Sequence, residues 1–302
     1  MNCYNIDMFN ISPIYAVWIA WFATAANLVT SKFAVPYVTS ALFILLACIV
    51  ASCLFMPYLL KTGQWRTLLD KKVWPQCLAM GTFGTALPMT IFMVALNYTT
   101  PVNGAILNQF EIIYSLILSY ILLKEKPSAK QIFGSVLIIG GVGLLLWQAG
   151  ISLQLKGDLM IIGCLWMFQL SHIFAKKLPA QMPPQLISAA RAIFAIPALA
   201  VLVGGLALFA GPLQFDSNPT LWGTLFFCAV INYFLGNTYW YQAIRNMHLG
   251  KATAIILSYP VMTFILSVLL GQDTVTTFKV LGLLLALGGA YIVTGVIQGD
   301  SK

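Results

Sequence analysis

The chain has 302 residues, of which 60% are apolar and 8% are charged, whereas charged residues make up about a quarter of ordinary soluble domains. This composition excludes a soluble globular protein and a disordered chain, and the long unbroken apolar runs exclude the alternating strands of a membrane β-barrel. The net charge of +8 comes from sixteen Lys and Arg residues against eight acids. Because these basic residues lie mostly in short loops, we interpret them as membrane topology signals and not as a nucleic-acid surface.

Ten apolar stretches of about 20 residues are long enough to cross the hydrocarbon core of a bilayer as helices. No positively charged segment precedes the first stretch, so we expect it to remain in the protein and not to be cleaved as a signal peptide. The short connections leave no room for a soluble domain. The sequence therefore predicts an all-α integral membrane protein with ten transmembrane helices, at 13–33, 38–60, 73–97, 102–123, 128–148, 157–177, 184–209, 220–243, 251–271 and 277–297.

The basic residues are distributed unequally between alternate loops. With the N-terminus inside, the cytoplasmic loops and C-terminal tail hold twelve Lys and Arg residues, while the outer loops hold Lys32, Lys156 and Lys279. Arg191 lies within a predicted span. Since basic loops stay in the cytoplasm, we predict that both termini are cytoplasmic.

The two halves of the chain resemble each other. Residues 103–125 align with 250–272 without a gap, at an offset of 147, and the next stretch carries glycines at 134, 140 and 141 that correspond to 282, 288 and 289. Because each half has an odd number of spans, the second repeat, 151–302, is predicted to be inverted relative to the first, 1–150. Inverted repeats are common in secondary transporters, whose substrate site lies near the midplane between the repeats.

Several segments carry a family resemblance. The segments "ALNYTTPVNGAIL" and "AIRNMHLGKATAII" open the fourth helix of each half, Glu125 closes the fourth helix, Gly157 and Asp158 open the sixth, and Pro260 lies in the ninth. With these features the chain resembles the EamA type of the drug/metabolite transporter superfamily over nearly its whole length. The resemblance implies ATP-independent export or exchange of small metabolites, amino acids among them, across a bacterial inner membrane. In agreement, the chain has no P-loop.

Glu111 falls in the middle of a predicted span, unlike the other seven acids, which lie in loops or at helix ends. An ionised side chain at that depth costs about 2.5–3.5 kcal/mol, so such groups usually face a cavity or a partner. Asn108, Ser115 and Ser119 share its helix face. Two roles fit Glu111: binding a substrate amine, or carrying a coupling proton, since burial favours the neutral carboxyl group. The alternative is structural, as an ion pair with Arg191 or a hydrogen bond between helices.

The eighth predicted helix is unusually aromatic and polar, with Tyr233, Asn237, Trp240 and Tyr241 on one face. We predict that this face lines a pocket for an aromatic, heterocyclic or cationic group, held by stacking or cation–π contact. The alternative for its cytoplasmic end, 239–241, is an aromatic belt at the membrane interface.

The first and sixth helices carry further candidates at equivalent places of the two repeats: Trp21 and Asn27 in the first, and Trp166, Gln169 and His172 in the sixth. We predict that they line the same cavity. His172 is a second candidate for proton transfer, and a simple hydrogen-bonded histidine is the alternative.

Ser258 and Tyr259 are candidate substrate-binding residues beside Pro260, which removes a backbone donor and can break or kink the ninth helix. Such a break exposes backbone carbonyls and permits bending. Arg191, about 10 Å into the seventh helix at 1.5 Å per residue, is a structural or gating candidate. It can extend to the inner interface or contact a substrate carboxylate or Glu111.

The six cysteines show no CxxC pair or His-spaced cluster, so we expect no metal site, no cofactor and no enzyme activity. The glycine-rich faces of the fifth and tenth helices favour packing within one subunit, with a homodimer through these helices as the alternative. The expected partners are the lipid bilayer and a small-molecule substrate.

The sequence therefore predicts an inner-membrane secondary transporter for an amino acid or a related amine-bearing metabolite, working by alternating access around a midplane cavity. Efflux of drug-like cations and exchange of a nucleotide-type metabolite such as S-adenosylmethionine are alternatives within transport. A membrane sensor or scaffold without transport is the alternative from another class.

Overall fold

The structure is a computed structural model that describes residues 11–118, 120–121, 127–149, 153–176, 178–179, 181–209, 211–246, 256 and 258–297. These ranges are helical and contain no regular strand, and their one β-bridge joins Val38 to Phe215. The predicted all-α class is therefore confirmed. Ser119 and Glu125 lie outside the described residues.

We label the helices α1 to α10 in chain order and leave the short helix Trp65–Leu69 unlabelled. Their bounds are α1 Pro13–Ala34, α2 Ser40–Thr62, α3 Trp74–Ala95, α4 (Pro101–Leu107, Asn108–Phe110 and Glu111–Leu118 in succession), α5 Ala129–Ala149, α6 Leu153–Lys176, α7 Pro184–Phe209, α8 (Pro219–Cys228, Ala229–Gly236 and Asn237–Asn246 in succession), α9 Tyr259–Leu269 and α10 Thr277–Ile297.

Five of these helices, α1, α2, α3, α7 and α8, are long and apolar enough within the described ranges to span a membrane. The chain is therefore a helical membrane protein with several spans. That the other five also cross the bilayer, and that both termini are cytoplasmic, stay predictions.

Helices α4 and α8 begin with the same local signal. Thr100 and Asn218 each precede a proline that occupies the first turn, and their side chains accept hydrogen bonds from the backbone N–H three residues later, at Asn103 (3.3 Å) and Leu221 (2.9 Å). A side-chain cap followed by proline satisfies amide groups that a helix start otherwise leaves unpaired.

Two of the helices contain a wide turn in which backbone hydrogen bonds skip one residue more than in an α-helix. The wide turn of α3 is Thr82–Ala86, and that of α8 is Ala229–Gly236. The two turns lie at corresponding places of the two halves, near the sequence offset of 147 that relates them. Wide turns of this kind are frequent at functional sites.

Helices α5 and α10 pack closely through glycines. A Cβ atom on Gly141 would lie 2.7 Å from the carbonyl oxygen of Gly282, and one on Gly289 would clash with the carbonyl oxygen of Gly134. The start of α5 therefore lies against the end of α10, and the two helices run antiparallel. In contrast, Cβ atoms on the neighbouring glycines 140, 143 and 288 would meet nothing within 4 Å.

The buried core has two main parts. The larger part joins α1 to α6 with α7 to α10, so both halves of the chain contribute to it. The second part lies where α2 ends and α7 begins, and includes Leu59, Met80, Met182 and Tyr241. This end of the molecule is closed by apolar side chains.

Candidate functional site

Glu111 is held by two amide side chains between α4 and α6. It lies directly after the tight turn Asn108–Phe110 of α4. Its Oε1 accepts a hydrogen bond from Gln169 Nε2 at 2.6 Å, and its Oε2 accepts one from Asn108 Nδ2 at 3.4 Å. Within the described part of the chain it forms no ion pair. A carboxyl group inside the protein that is held by amide donors and forms no ion pair among the described residues is suited to take up a proton or a cationic ligand.

An equivalent hydrogen bond joins α1 to the start of α9. Trp21 Nε1 donates to Ser258 Oγ at 2.9 Å, and Ser258 corresponds to Glu111 at the offset of 147. The two hydrogen bonds correspond between the repeats. Gln169 lies on α6, the first helix of the second repeat, and donates to Glu111 on α4, the fourth helix of the first repeat. Trp21 lies on α1, the first helix of the first repeat, and donates to Ser258 at the start of α9, the fourth helix of the second repeat. The chemistry differs, because one position carries a carboxyl group and the other a hydroxyl.

Tyr259 ties α9 to α4 beside Glu111. Its hydroxyl donates to the carbonyl oxygen of Ala105 at 3.4 Å and also interacts with the side chain of Asn108. Five of the predicted site residues besides Glu111 thus surround the contact of α4 and α6 with α1 and α9: Asn108, Gln169, Trp21, Ser258 and Tyr259.

Asn27 and Tyr233 belong to a second group, which lines a cavity of about 30 Å³ among α1, α2, α3 and α8. A cavity of this size has room for about two water molecules. Met89, Phe92 and Met93 form much of its apolar wall. Asn27 Oδ1 is buried there without a hydrogen-bond partner, so the cavity offers an acceptor to whatever enters it. Asn237 lies next to this group, with its Nδ2 donating to the carbonyl oxygen of Tyr233 at 3.4 Å.

Tyr241 and Trp240 lie elsewhere, in the core at the end of the molecule where α2 ends and α7 begins. The hydroxyl of Tyr241 lies 3.7 Å from the sulfur of Met80, and Trp240 packs on the same apolar residues. Tyr241 is buried, so it belongs neither to the cavity nor to an exposed aromatic belt. The face predicted along the eighth helix is therefore divided, and Tyr233 is its cavity-lining member.

The four remaining candidates from the sequence lie on α4, α6 and α9. Trp166 on α6 packs against Phe83 of the wide turn in α3, with ring centroids 6.3 Å apart. His172 is half-buried on α6, and Ser115 lies within Glu111–Leu118. Pro260 is buried in the first turn of α9, which begins at Tyr259. The proline thus marks the start of this helix.

Arg191 supports the wide turn of α3. It is 6% exposed, its Nε donates to Thr85 Oγ1 at 2.9 Å, and its Nη2 donates to the carbonyl oxygen of Gly84. The predicted extension of Arg191 to the inner interface is therefore wrong, and no ion pair joins it to Glu111. The physical reason is local, because a wide turn leaves backbone carbonyls without their usual helical donors, and the guanidinium supplies donors in their place.

Replacing Arg191 with lysine is expected to lower the unfolding temperature, because lysine keeps the charge but has one nitrogen in place of the two guanidinium nitrogens that donate to Thr85 and Gly84. Hydrogen bonds from charged groups contribute about 1.5–3 kcal/mol each. The measurement is thermal unfolding in detergent, with the exposed Arg66, stacked on Trp65, changed to lysine as the matched control. Equal unfolding temperatures for both variants would contradict a supporting role for Arg191.

The sequence analysis missed a further buried acid. Asp158, noted only as a family-like residue at a helix start, is fully buried, and its Oδ1 accepts a hydrogen bond from Thr99 Oγ1 at 2.5 Å. Two features of the sequence could have indicated that Asp158 is buried. It lies five residues after the start of α6, and it follows Gly157, a glycine at which the backbone of α3 approaches closely.

Several apolar spanning helices with polar and ionisable groups buried between them define a multi-pass membrane protein of the transporter type. The model of the EamA-like transporter family matches this chain twice, at residues 11–147 and 155–295. The chain belongs to the EamA-like transporter family, part of the drug/metabolite transporter superfamily. The predicted family is therefore confirmed, and this family consists of transporters and not of enzymes.

Similar proteins carry the same general description. The "Uncharacterized transporter YyaM" of Bacillus subtilis is 29% identical over 215 residues, which is 69% of each chain. An "Uncharacterized transporter" of Archaeoglobus fulgidus is 23% identical over 265 residues, covering 87% of this chain and 91% of that protein. One crystal structure aligns with 94% of this chain and 99% of its own, with a TM-score of 0.66 and 16% identity, and this likeness shows the fold alone.

Proposed function

We propose that this protein is a secondary-active transporter of the cell inner membrane that exports or exchanges a small amine-bearing metabolite, most simply an amino acid. The observation that carries the proposal is Glu111, an acid in the middle of a predicted span that is held by Gln169 and Asn108 and forms no ion pair in the described part of the chain. A substrate ammonium group can supply the missing positive charge, and a coupling proton can replace it when the substrate leaves.

The relation between the two halves supports alternating access. The repeat-equivalent helices α5 and α10 run antiparallel, and Glu111 and Ser258 accept corresponding hydrogen bonds across the repeats. Both features agree with repeats 1–150 and 151–302 related by inversion, ten spans and two cytoplasmic termini. In inverted-repeat transporters the two repeats exchange conformations around a fixed midplane site.

The remaining candidate residues support a substrate with a flat or apolar portion. Trp21 and Tyr259 bring aromatic surface to the hydrogen-bonded group around Glu111. Such surface also suits a drug-like cation or S-adenosylmethionine, so these compounds belong in the same competition experiment as amino acids.

Counterflow in proteoliposomes tests the proposal. Vesicles loaded with an unlabelled amino acid are expected to accumulate the same labelled compound without ATP, and an excess of the preferred substrate is expected to abolish this accumulation. The panel contains amino acids, S-adenosylmethionine and ethidium, with protein-free vesicles as the control. Flux of none of these compounds would favour the sensor or scaffold alternative.

A further inference from the structure

Asp158 is a second carboxyl group buried inside this protein. It has no exposed surface, and Thr99 Oγ1 donates to its Oδ1 at 2.5 Å. Its other oxygen, Oδ2, is buried without a hydrogen-bond partner. Asn103 of α4 is 1% exposed, and its side chain lies within hydrogen-bonding reach of Asp158, although neither Nδ2 nor Oδ1 meets the geometry of a full hydrogen bond. Asp158 Oδ2 and the amide group of Asn103 thus lie close together without a fully formed hydrogen bond.

The charged groups around Asp158 come from three other parts of the chain. Lys279 of α10 acts on it electrostatically but is paired with Asp273 Oδ1, in a pair whose side chains are 7% and 2% exposed. Lys32 of α1 donates to the carbonyl oxygens of Leu96 and Thr99. Two lysines therefore balance two carboxylates here, although Asp158 itself forms no ion pair among the described residues.

Buried polar atoms without partners are unfavourable, so this arrangement favours a ligand that supplies one donor. A proton does so: bound to Asp158 Oδ2, it becomes an O–H group that donates to Asn103 Oδ1. When the proton leaves, the amide can rotate so that Nδ2 donates to the ionised Oδ2. Each protonation state of the acid thus has a matching orientation of the amide.

We infer that Asp158, with Asn103 and Thr99, is a proton-binding site separate from Glu111 that carries the coupling proton. The proton comes from water on one side of the membrane, binds Oδ2 and leaves to the other side, and no other bond is made or broken. Glu111 is then left to bind the substrate. This inference rests on the proposed transport function.

The same residues tie several helices together at the end of the molecule where α3 ends. The Thr99–Asp158 bond joins the α3–α4 connection to α6, Lys32 joins α1 to that connection, and Gln272 Nε2 donates to the carbonyl oxygen of Val29 at 3.0 Å. Protonation of Asp158 removes one of the two negative charges that balance the lysines. The remaining excess of positive charge weakens these contacts between helices, so proton binding favours their separation at this end.

Infrared spectroscopy of the reconstituted protein tests the proton site without any substrate. The E111Q variant is expected to show a protonated-carboxyl C=O band that disappears as pH rises, and the same variant with Asp158→Asn added is expected to lack this band. Asp70→Asn, which changes an exposed loop acid, is the matched control and is expected to keep this band. Retention of this band in the variant with both E111Q and Asp158→Asn would overturn the inference.

A second variant keeps the test decisive if Asp158→Asn fails to fold. Asn103→Leu keeps the acid but removes the amide that serves the ionised form, so the titration midpoint of the same band is expected to rise by about one pH unit. An unchanged midpoint would contradict the pairing of Asp158 with Asn103.

Transport measurements separate the inference from the proposed function. With an amino acid that passes counterflow, Asp158→Asn is expected to lose accumulation driven by a pH gradient, whereas Asp70→Asn is expected to keep it. Undiminished gradient-driven accumulation in Asp158→Asn would overturn the coupling role, while the transport function would stand. Absence of flux in the wild type would count against the proposed function, and the infrared result would still decide the proton site.

Discussion

The Glu111→Gln variant is expected to lose between about tenfold and a hundredfold of its transport efficiency, since a hydrogen-bonded contact to a charged group contributes about 1.5–3 kcal/mol and 1.4 kcal/mol corresponds to tenfold. Glutamine keeps the shape of the side chain and an oxygen that can accept from Gln169, whose Nε2 lies 2.6 Å from Glu111 Oε1. The change therefore removes the charge with little change in packing. The measurement is the initial rate of counterflow at several substrate concentrations.

Two further variants show whether this loss is specific to the charge of Glu111. Gln169→Leu removes the hydrogen bond and keeps the carboxyl group, so we expect a smaller loss than in Glu111→Gln. Asp70→Asn removes a carboxyl group from an exposed loop and is expected to transport at the wild-type rate. Wild-type rates in Glu111→Gln would rule out its proposed role in binding the substrate amine.

Gly289→Ala is expected to destabilise the protein by about 1–3 kcal/mol or more, the usual cost of adding a methyl group to a packed interior. The new Cβ atom would clash with the carbonyl oxygen of Gly134 and would lie 2.9 Å from the backbone nitrogen of Ile138. Both are backbone atoms, so α5 and α10 must move apart to make room. Thermal unfolding in detergent and the yield of folded protein measure the effect.

The adjacent residue provides the control. A Cβ atom on Gly288 would meet nothing within 4 Å, so Gly288→Ala gains the same helix propensity without a clash and is expected to be at least as stable as the wild type. A loss of stability in Gly288→Ala equal to that of Gly289→Ala would show that the open side of these helices is itself covered. Such a result would support the alternative prediction of a homodimer through α5 and α10. The oligomeric state of the protein in detergent would then be measured.

Helix positions were predictable where a single physical requirement fixes them. The bounds of α1, α2 and α7 agree with the predicted spans to within about two residues. These helices end where the apolar residues end, because only apolar side chains are stable in the hydrocarbon core of the bilayer. The predicted ninth span begins at 251, but residues 251–255 lie outside the described residues. Within the described part, α9 begins beside Pro260, as the loss of a backbone donor at that residue requires.

The contacts of the site residues were predictable only in part. Helical spacing placed Asn108 beside Glu111, and the repeat placed Gln169 on the facing helix. The partners of Arg191 were not predictable, because backbone carbonyl groups carry no signal in the amino-acid sequence. The wide turns escaped prediction as well, since nothing in the residues of Thr82–Ala86 and Ala229–Gly236 distinguishes a wide turn from a regular helical one.

The wide turns change how the third helix of each half can be used. One additional residue rotates everything beyond it by about 100° around the helix axis, because a regular turn holds 3.6 residues. In α3, Met80 before the turn contacts Tyr241, whereas Met93 beyond it lines the cavity. The turn shifts the rotational phase of the residues beyond it relative to those before it. A single continuous span thereby acts as two shorter ones, and each end can fit its own set of neighbours independently of the other.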